Sequence, residues 1–189
     1  ATAVVNNGKM MKPYIISKIV DSSTGEIIEN AEPEVVGEPI SPETAKQIRD
    51  LSERVISNEK GTGHNVYNLP DYSVAGKTGT SQIVDPETGK YMKGRENYIF
   101  SFLGWAPADE PELLMFVSVE QPKLEVTESG SEPVSYIFKT VMENSLHYLE
   151  VQPDKEEAIV NVEPYTLADL KGKSNDSVNQ QLLDRSIQK

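Results

Sequence analysis

The sequence predicts an α+β fold in which helices cover an antiparallel sheet. Three β-rich runs, residues 72–84, 98–105 and 113–119, follow one another through short polar connections, a pattern typical of an antiparallel meander. Two further runs, residues 41–57 and 134–149, instead repeat apolar residues at helical spacing. A helix with one apolar face has to bury that face, so we expect the helices to pack on the sheet.

The composition is that of an ordinary globular chain, and it restricts the function. Of the 189 residues, 37% are hydrophobic and 25% are charged, and the formal net charge is -12. We expect no nucleic-acid partner, because such a partner would require clustered Lys and Arg. With no Cys and only two His, the chain predicts neither a disulfide nor a metal site, and we expect no cofactor. No apolar run reaches the length of about 20 residues that spans a membrane.

The N-terminal segment is predicted to combine a helix end with a hairpin. Residues 1–8 have the pattern of the last turns of a helix closed by Gly8, so we expect the chain to begin within a helix. Residues 13–20 and 26–29 are rich in β-forming side chains and flank a polar turn, residues 21–25, that ends in Gly. This pattern predicts a β-hairpin.

The first long helix has clear start signals. Ser41 is the expected N-cap, and Pro42 is the expected first helical residue. The segment after this helix, residues 59–65, is rich in Gly and polar side chains, which predicts a surface loop at the edge of a site. The apolar stripe through which the helix should pack consists of Ala45, Ile48, Leu51 and Val55.

The remaining elements lead to a predicted domain boundary. The strand of residues 72–84 should turn at residues 85–89, where Pro and Gly occupy turn positions and the alternating oxygen ligands of a calcium loop are missing. A composition change then separates residues 1–150 from a linker over residues 151–163. The final segment, residues 164–189, is too short to fold alone.

Residues 74–82, Val-Ala-Gly-Lys-Thr-Gly-Thr-Ser-Gln, are the strongest candidate for a functional site. They place the cation of Lys77 and the hydroxyls of Thr78 and Thr80 among glycines within a strand, which predicts a rim that binds a carboxylate. In the structural interpretation, Lys77 is a charge that protects a sheet edge and the threonines are good strand formers. Whether these residues form a binding rim or an ordinary edge strand has to be judged from the motifs around them.

Other aromatic and histidine side chains are expected to be structural. Trp105 and the Phe residues of the segment 100–102 should lie in the core. His64 should be a solvated loop residue, and His147 should lie on a helix surface. Neither histidine is expected to transfer protons.

Several segments together resemble a class B penicillin-binding protein. They are the Gly-Thr-Gly of residues 61–63, the Gly-Lys-Thr-Gly-Thr-Ser-Gln of residues 76–82, the Phe-Ser-Phe-Leu-Gly-Trp-Ala-Pro-Ala strand of residues 100–108 and the helix that follows. Residues 6–13 are similar to the segment after the first two catalytic motifs of that family, and residues 165–174 are similar to the opening of a PASTA domain.

The resemblance implies a serine transpeptidase/β-lactamase-like fold and a function in the cell wall. Residues 1–150 would be the C-terminal portion of a transpeptidase domain, and residues 164–189 an incomplete PASTA-like domain. The parent protein would be a peptidoglycan DD-transpeptidase that acts on D-Ala-D-Ala stem peptides and is inhibited by β-lactam antibiotics. It would be held at the extracellular face of a bacterial membrane by an N-terminal segment outside this chain. Its partners would include the remainder of the transpeptidase domain and cell-division or wall-synthesis proteins.

The resemblance also assigns roles within the Lys-Thr-Gly motif. Lys77 would direct positive charge toward the substrate carboxylate, and Thr78 would bind that carboxylate through its hydroxyl. Gly79 would let the ligand backbone approach closely. The backbone N–H of Thr80 would donate to the oxyanion of the transition state.

The nucleophilic serine of the family is not expected in this chain. The family divides its chemistry among Ser-x-x-Lys, which carries the acylated serine, Ser-x-Asn and Lys-Thr-Gly. The Ser-x-x-Lys matches at residues 57–60 and 186–189 and the Ser-x-Asn match at residues 177–179 fall at the wrong places in the chain order, so we interpret them as coincidences. The chain alone is therefore expected to be inactive.

Two alternatives remain open from the sequence. The same fold could serve a DD-carboxypeptidase or a serine β-lactamase, which differ from a transpeptidase in the acceptor of the acyl group. A protein of another class, a non-catalytic wall-binding or division-scaffold module, could have kept the fold without the activity. The PASTA-like segment and residues 1–13 favour the transpeptidase over the first alternative.

Overall fold

The computed structural model describes residues 1–125 and 129–155 of the chain. The chain divides into two units, and everything described below belongs to the first, residues 1–158. Its regular elements are α1 (Thr2–Val5), β1 (Met10–Met11), β2 (Lys18–Val20), β3 (Ile27–Asn30), β4 (Val35–Gly37), α2 (Pro42–Ser57), β5 (Ala75–Gln82), β6 (Tyr98–Ala106), β7 (Leu113–Glu120) and α3 (Ser131–Tyr148), with a short 3-10 helix at Arg95–Asn97.

The centre of the fold is a three-stranded antiparallel sheet with the strand order β5-β6-β7. Because successive side chains of a strand alternate between faces, each strand contributes to two different layers. One face carries Phe102 and its β7 partner Val117, which are buried with Phe138 of α3. The opposite face carries Trp105 and its β5 partner Ala75. The predicted α+β class with a helix-covered antiparallel sheet is confirmed.

Helices cover both faces of the sheet. Helix α3 packs against β6 and β7, while α2 packs along β5 and against α1. The side chains of Val4 and Val5 in α1 contact the cluster formed by Ala75, Trp105 and Ala108. The start of β5 is therefore enclosed between helices, and only its later residues can face a ligand.

Helix α2 begins as predicted, and its predicted packing stripe is confirmed except at Leu51: Ala45 is buried, Ile48 is half-buried, and Val55 packs against the core. Ser41 is the N-cap, and its hydroxyl accepts the N–H of Thr44 at 3.1 Å. Leu51, predicted to pack, is instead 63% exposed. Arg49 is buried in its place, because its guanidinium donates to the Val4 carbonyl at 2.8 Å. This hydrogen bond satisfies a carbonyl near the end of α1.

The first strand of the predicted hairpin is shorter than predicted, and the second is shifted by one residue. The hairpin is confirmed, since β2 and β3 pair antiparallel, but residues 13–17 are not part of a strand. The turn between the two strands is tied by the carboxylate of Asp21, which accepts the N–H groups of Ser23 and Thr24. An additional pair, β1 with β4, has no counterpart among the predictions.

The strand with the Lys-Thr-Gly motif is also shorter than predicted. It begins at Ala75 rather than Tyr72, because residues 66–74 fold into an irregular segment whose aromatic side chains enter the core. Tyr67 stacks on Phe102 with ring centroids 3.7 Å apart. In the part of the chain that the structure describes, no helix is long and apolar enough to cross a membrane.

Candidate active site

The candidate site lies on β5, which is an edge strand of the three-stranded sheet. Burial decreases along this strand: Ala75 and Gly76 are buried, Thr78 and Gly79 are half-buried, and the last residues are exposed. An edge strand presents unpaired backbone donors and acceptors to a partner of extended shape. We call residues 77–80 the recognition rim.

Lys77 is an exposed cation at the start of the recognition rim. Its Nζ donates to the carbonyl of Thr78 at 2.8 Å, so the side chain bends back along its own strand. No described carboxylate lies within ion-pair distance of it. An ammonium has three donors, and the contact with Thr78 uses one of them. The charge is therefore available to an anionic ligand.

Thr78 is joined to the loop that precedes the strand. Its hydroxyl lies 3.0 Å from the hydroxyl of Thr62, which belongs to the Gly-Thr-Gly segment. Each hydroxyl has one donor and two acceptor positions, so the pair keeps further capacity for a ligand. Because of this contact, we assign the Thr62 hydroxyl to the candidate site as well. From the sequence, the loop that contains Thr62 was predicted only to lie at the edge of a site.

Two glycines bring Thr62 to this position. The loop folds back on the end of α2, where a Cβ at Gly61 would collide with the Val55 carbonyl and a Cβ at Gly63 would collide with Ile56. The N–H of Gly63 donates to the same Val55 carbonyl at 3.0 Å. A side chain at Gly61 meets backbone and would push the loop, and with it the Thr62 hydroxyl, away from β5. At Gly63 the obstacle is the flexible end of the Ile56 side chain, which can shift.

Gly79 is held against the neighbouring strand. It pairs with Ser101 of β6, and a Cβ at this position would collide with the Ser101 hydroxyl. Ser101 in turn pairs with Ser118 of β7, so a polar row crosses the sheet on the face of Lys77. This row was not predicted, because serines on separate strands give no local pattern.

Thr80 is exposed near the end of the recognition rim and pairs with Phe100 of β6. Beyond it, the strand pair ends in the predicted turn. Asp85 accepts the N–H of Glu87 at 2.9 Å and the hydroxyl of Thr88 at 2.8 Å. These hydrogen bonds, the one from the Glu87 N–H above all, lower the pKa of Asp85.

The aromatic predictions are confirmed, and one histidine prediction is wrong. Trp105 is buried and donates its indole N–H to the Ala108 carbonyl at 3.1 Å, and Phe102 is fully buried. His64 is half-buried rather than solvated: its Nδ1 lies 3.0 Å from the Ile56 carbonyl, and a carbonyl can only accept.

His147 is exposed on α3, as predicted. Its Nε2 lies 3.8 Å from the Asp71 carboxylate, and with Glu143 these groups bring potential ligand atoms within 4.8 Å of one another. Clusters of this kind are common on protein surfaces without an ion, so we assign no metal to it.

The other motif matches stay outside the recognition rim. Ser57 is the last residue of α2 and is exposed, so it has none of the features of an activated nucleophile. The matches at residues 177–179 and 186–189, like the PASTA-like residues 164–189, lie outside the described residues.

Comparisons with known proteins identify relatives across most of the chain. A family model described as the penicillin-binding protein transpeptidase domain matches residues 1–143. The chain is 39% identical over 154 residues to stage V sporulation protein D of Bacillus subtilis, and the match covers 82% of this chain and 23% of that protein. It is 30% identical over 158 residues to penicillin-binding protein PbpB of Mycolicibacterium smegmatis, which covers 80% of this chain and 24% of that protein.

Solved structures share the fold. Penicillin-binding protein 2X from Streptococcus thermophilus matches with a TM-score of 0.69 and 28% identity, over 77% of this chain and 22% of that one. The transpeptidase domain of penicillin-binding protein 3 from Burkholderia pseudomallei matches with a TM-score of 0.61 and 28% identity, over 82% of this chain and 41% of that one. The predicted serine transpeptidase/β-lactamase-like fold is confirmed. The chain spans about a quarter of the length of the curated relatives described above.

Proposed function

We propose that this chain, which belongs to the penicillin-binding protein transpeptidase family, forms the substrate-gripping side of a peptidoglycan D,D-transpeptidase. In the complete enzyme, a serine attacks the carbonyl between the two D-Ala residues of a stem peptide, the peptide bond breaks, and the terminal D-Ala leaves. An amine of a second stem peptide then attacks the acyl ester, which forms the cross-link and frees the serine. β-Lactams occupy the place of the donor peptide. The observation that carries the proposal is an exposed Lys77 followed on an edge strand by Thr78, whose hydroxyl contacts that of Thr62.

The carboxylate of the ligand is held at the start of the recognition rim. Lys77 supplies the charge, with two ammonium donors left after its contact with Thr78. The hydroxyl of Thr78 donates a hydrogen bond to the carboxylate while Thr62 supports it from the loop. Charge-assisted hydrogen bonds of this type are about twice as strong as neutral ones, so this end of the ligand determines its orientation.

The peptide backbone of the ligand lies along the rest of the recognition rim. Gly79 has no side chain that could keep an extended peptide away from the strand edge. The N–H of Thr80 donates to the oxyanion that forms on the attacked carbonyl, and the loss of one such donor typically costs about 3 kcal/mol of transition-state stabilisation. Recognition is thus partly a main-chain interaction.

The acylated serine lies in sequence that precedes Ala1, in the remainder of the transpeptidase domain. This part of the proposal is supported by the Burkholderia transpeptidase domain, of which the present chain covers only 41%. The described Ser-x-x-Lys match, at residues 57–60, stands at the end of a helix and not at the start of one.

The relatives also support a proposal for the setting of the complete protein. The names of several of them contain penicillin-binding protein or peptidoglycan D,D-transpeptidase, including an FtsI homolog. We extend the proposal to a class B protein at the outer face of the bacterial membrane, anchored by an upstream segment and working with division or wall-synthesis partners. Residues 151–163 link its transpeptidase domain to the PASTA-like segment 164–189.

Covalent labelling with a fluorescent penicillin tests the proposal. A longer polypeptide that also carries the preceding part of the domain should be acylated, whereas the 189-residue chain should not. Lys77→Ala in the longer polypeptide should lower the rate of acylation by about 100-fold or more, because the carboxylate loses its charge partner. Lys90→Ala, at an exposed position in the turn beyond β5, serves as the matched control and should leave the rate unchanged.

Three results would contradict the proposal. Strong labelling of the 189-residue chain alone would place the nucleophile within it. A longer polypeptide that is neither acylated nor active on stem peptides would instead point to a non-catalytic wall-binding module. With a stem-peptide donor and an amine acceptor, release of free acid without a cross-linked product would favour a DD-carboxypeptidase.

A further inference from the structure

The first residues of the predicted linker are attached to the segment that leads into β5. The hydroxyl of Tyr72 donates to the Val151 carbonyl at 2.8 Å, and Lys155 Nζ donates to the Leu69 carbonyl at 2.6 Å. We call residues 151–155 the clamp segment. Its contacts join parts of the chain that are far apart in sequence, so they constrain the entry to β5 from outside the sheet.

Asp154 makes the central contact of the clamp segment. Its Oδ1 accepts the N–H of Ser73 at 2.7 Å, and its Oδ2 accepts the hydroxyl of the same residue. A carboxylate that binds both donors of one residue fixes the position and the side-chain rotation of that residue. Asp154 itself is exposed, so hydrogen bonds and not burial hold it in place. Besides the bidentate side-chain contact, its backbone N–H donates to the Asp71 carbonyl at 3.3 Å.

The contact continues into the core through Ser73. The hydroxyl of Ser73, which donates to Asp154, also accepts the N–H of Ala108 at 2.8 Å. The Ala108 carbonyl accepts the indole N–H of Trp105, and Trp105 pairs with Ala75 at the start of β5. The carboxylate is therefore connected to β5, which carries the recognition rim, and to β6, the strand with which β5 pairs.

We propose that Asp154 is a positioning residue for the recognition rim. Ser73 directly precedes the buried residues 74–76, and Lys77 follows them. Because the buried residues are packed on all sides, a displacement of Ser73 would also shift Lys77. The role in recognition rests on the function proposed above. Catalytic geometry is sensitive to small shifts, since a misplacement of about 1 Å can cost about 100-fold in rate.

Hydrogen exchange in the 189-residue chain tests the structural half of the inference without any activity. Asp154→Ala should raise the exchange rates of the amide N–H groups of residues 73–77 by about tenfold or more, because their local opening becomes easier. Residues 115–118 of β7 report global unfolding in the same sample and should change much less. Unchanged protection of residues 73–77 would overturn the proposal.

Acylation of the longer polypeptide tests the functional half. Asp154→Ala should lower the acylation rate per folded molecule by at least about tenfold. Lys155→Ala removes a contact of the same clamp segment but not the one to Ser73, and it should stay within about twofold. Asp154→Asn keeps an oxygen for the Ser73 N–H and should recover most of the rate.

The outcomes separate this inference from the proposed function. If Asp154→Ala loses thermal stability but keeps its acylation rate, the clamp segment contributes to stability only, and the positioning role is overturned. Combining Asp154→Ala with Ser73→Ala should cost less than the sum of the two single losses, because both changes remove the hydrogen bond between Asp154 and the Ser73 hydroxyl. Additive losses would contradict a connection that runs through this hydrogen bond. If the longer polypeptide is not acylated at all, the proposed function fails, and hydrogen exchange alone decides whether Asp154 holds the strand.

Discussion

At the residue scale, the recognition rim depends on positions where a side chain would not fit. Gly79 faces the Ser101 hydroxyl across the strand pair, and Gly61 and Gly63 press against the end of α2. At each of these positions glycine is needed for close approach and not for an unusual backbone angle. The local sequence shows that glycines surround Lys77, but only the neighbours in space show what each glycine makes room for.

Gly79→Ala tests this interpretation. The added methyl group collides with the Ser101 hydroxyl, which has to rotate away, so the free energy of unfolding should fall by about 1 kcal/mol. Ser101→Ala removes the obstacle, and the double variant should regain most of that loss in urea unfolding. A double variant as unstable as Gly79→Ala would show that the strain lies elsewhere.

At the element scale, local signals identified the helices better than the strands. The beginning of α2 was predicted correctly, since an N-cap serine followed by proline acts through the backbone of the first turn alone. Its packing face was predicted incorrectly at Leu51, and the first residues assigned to the Lys-Thr-Gly strand are irregular. Both errors arise where a distant element determines what is buried.

The N-cap gives a prediction for α2. Ser41→Ala leaves the N–H of Thr44 without its hydroxyl acceptor and should lower the free energy of unfolding by about 1 kcal/mol. Ser57→Ala, at the exposed opposite end of the same helix, should change it by less than about 0.5 kcal/mol. Thermal or urea unfolding of the two variants makes the comparison, and equal effects would argue against capping.

At the scale of the whole molecule, aromatic residues connect the sheet, the helices and the clamp segment. Phe102 stacks on Tyr67 and meets Phe138 of α3 edge to face with ring centroids 4.7 Å apart. Tyr72 is fully buried and carries the hydroxyl that bonds to Val151. Burial raises the pKa of Tyr72, and the nearby negative charges of Asp71, Glu143 and Asp154 add to that rise.

The raised pKa of Tyr72 predicts a loss of stability at alkaline pH. The unfolded chain ionises this phenol near its ordinary value of 10.0, whereas the folded chain keeps it neutral to higher pH. Its contribution is thus fully present below about pH 10 and is lost as the pH rises through the folded-state pKa.

Urea unfolding between about pH 9 and about pH 11 measures this effect. Tyr72→Phe should show a shallower decline than the unmodified chain, although Tyr67, whose pKa is also raised by burial, contributes in both. Tyr136→Phe is the control, because this tyrosine is 73% exposed. If the stability of Tyr72→Phe declines as steeply as that of the unmodified chain, the raised pKa of Tyr72 does not cause the loss of stability at alkaline pH.

The fold class, the meander, both long helices and the Lys77–Thr78 motif could be predicted from the sequence. Each of these features is encoded in neighbouring residues through side-chain period, capping and turn chemistry. Only the folded chain shows that Thr62 meets Thr78, that the polar row through Ser101 crosses the sheet, and that Asp154 holds Ser73. These contacts join residues distant in sequence, and their partners are selected by packing in space, which no local pattern records.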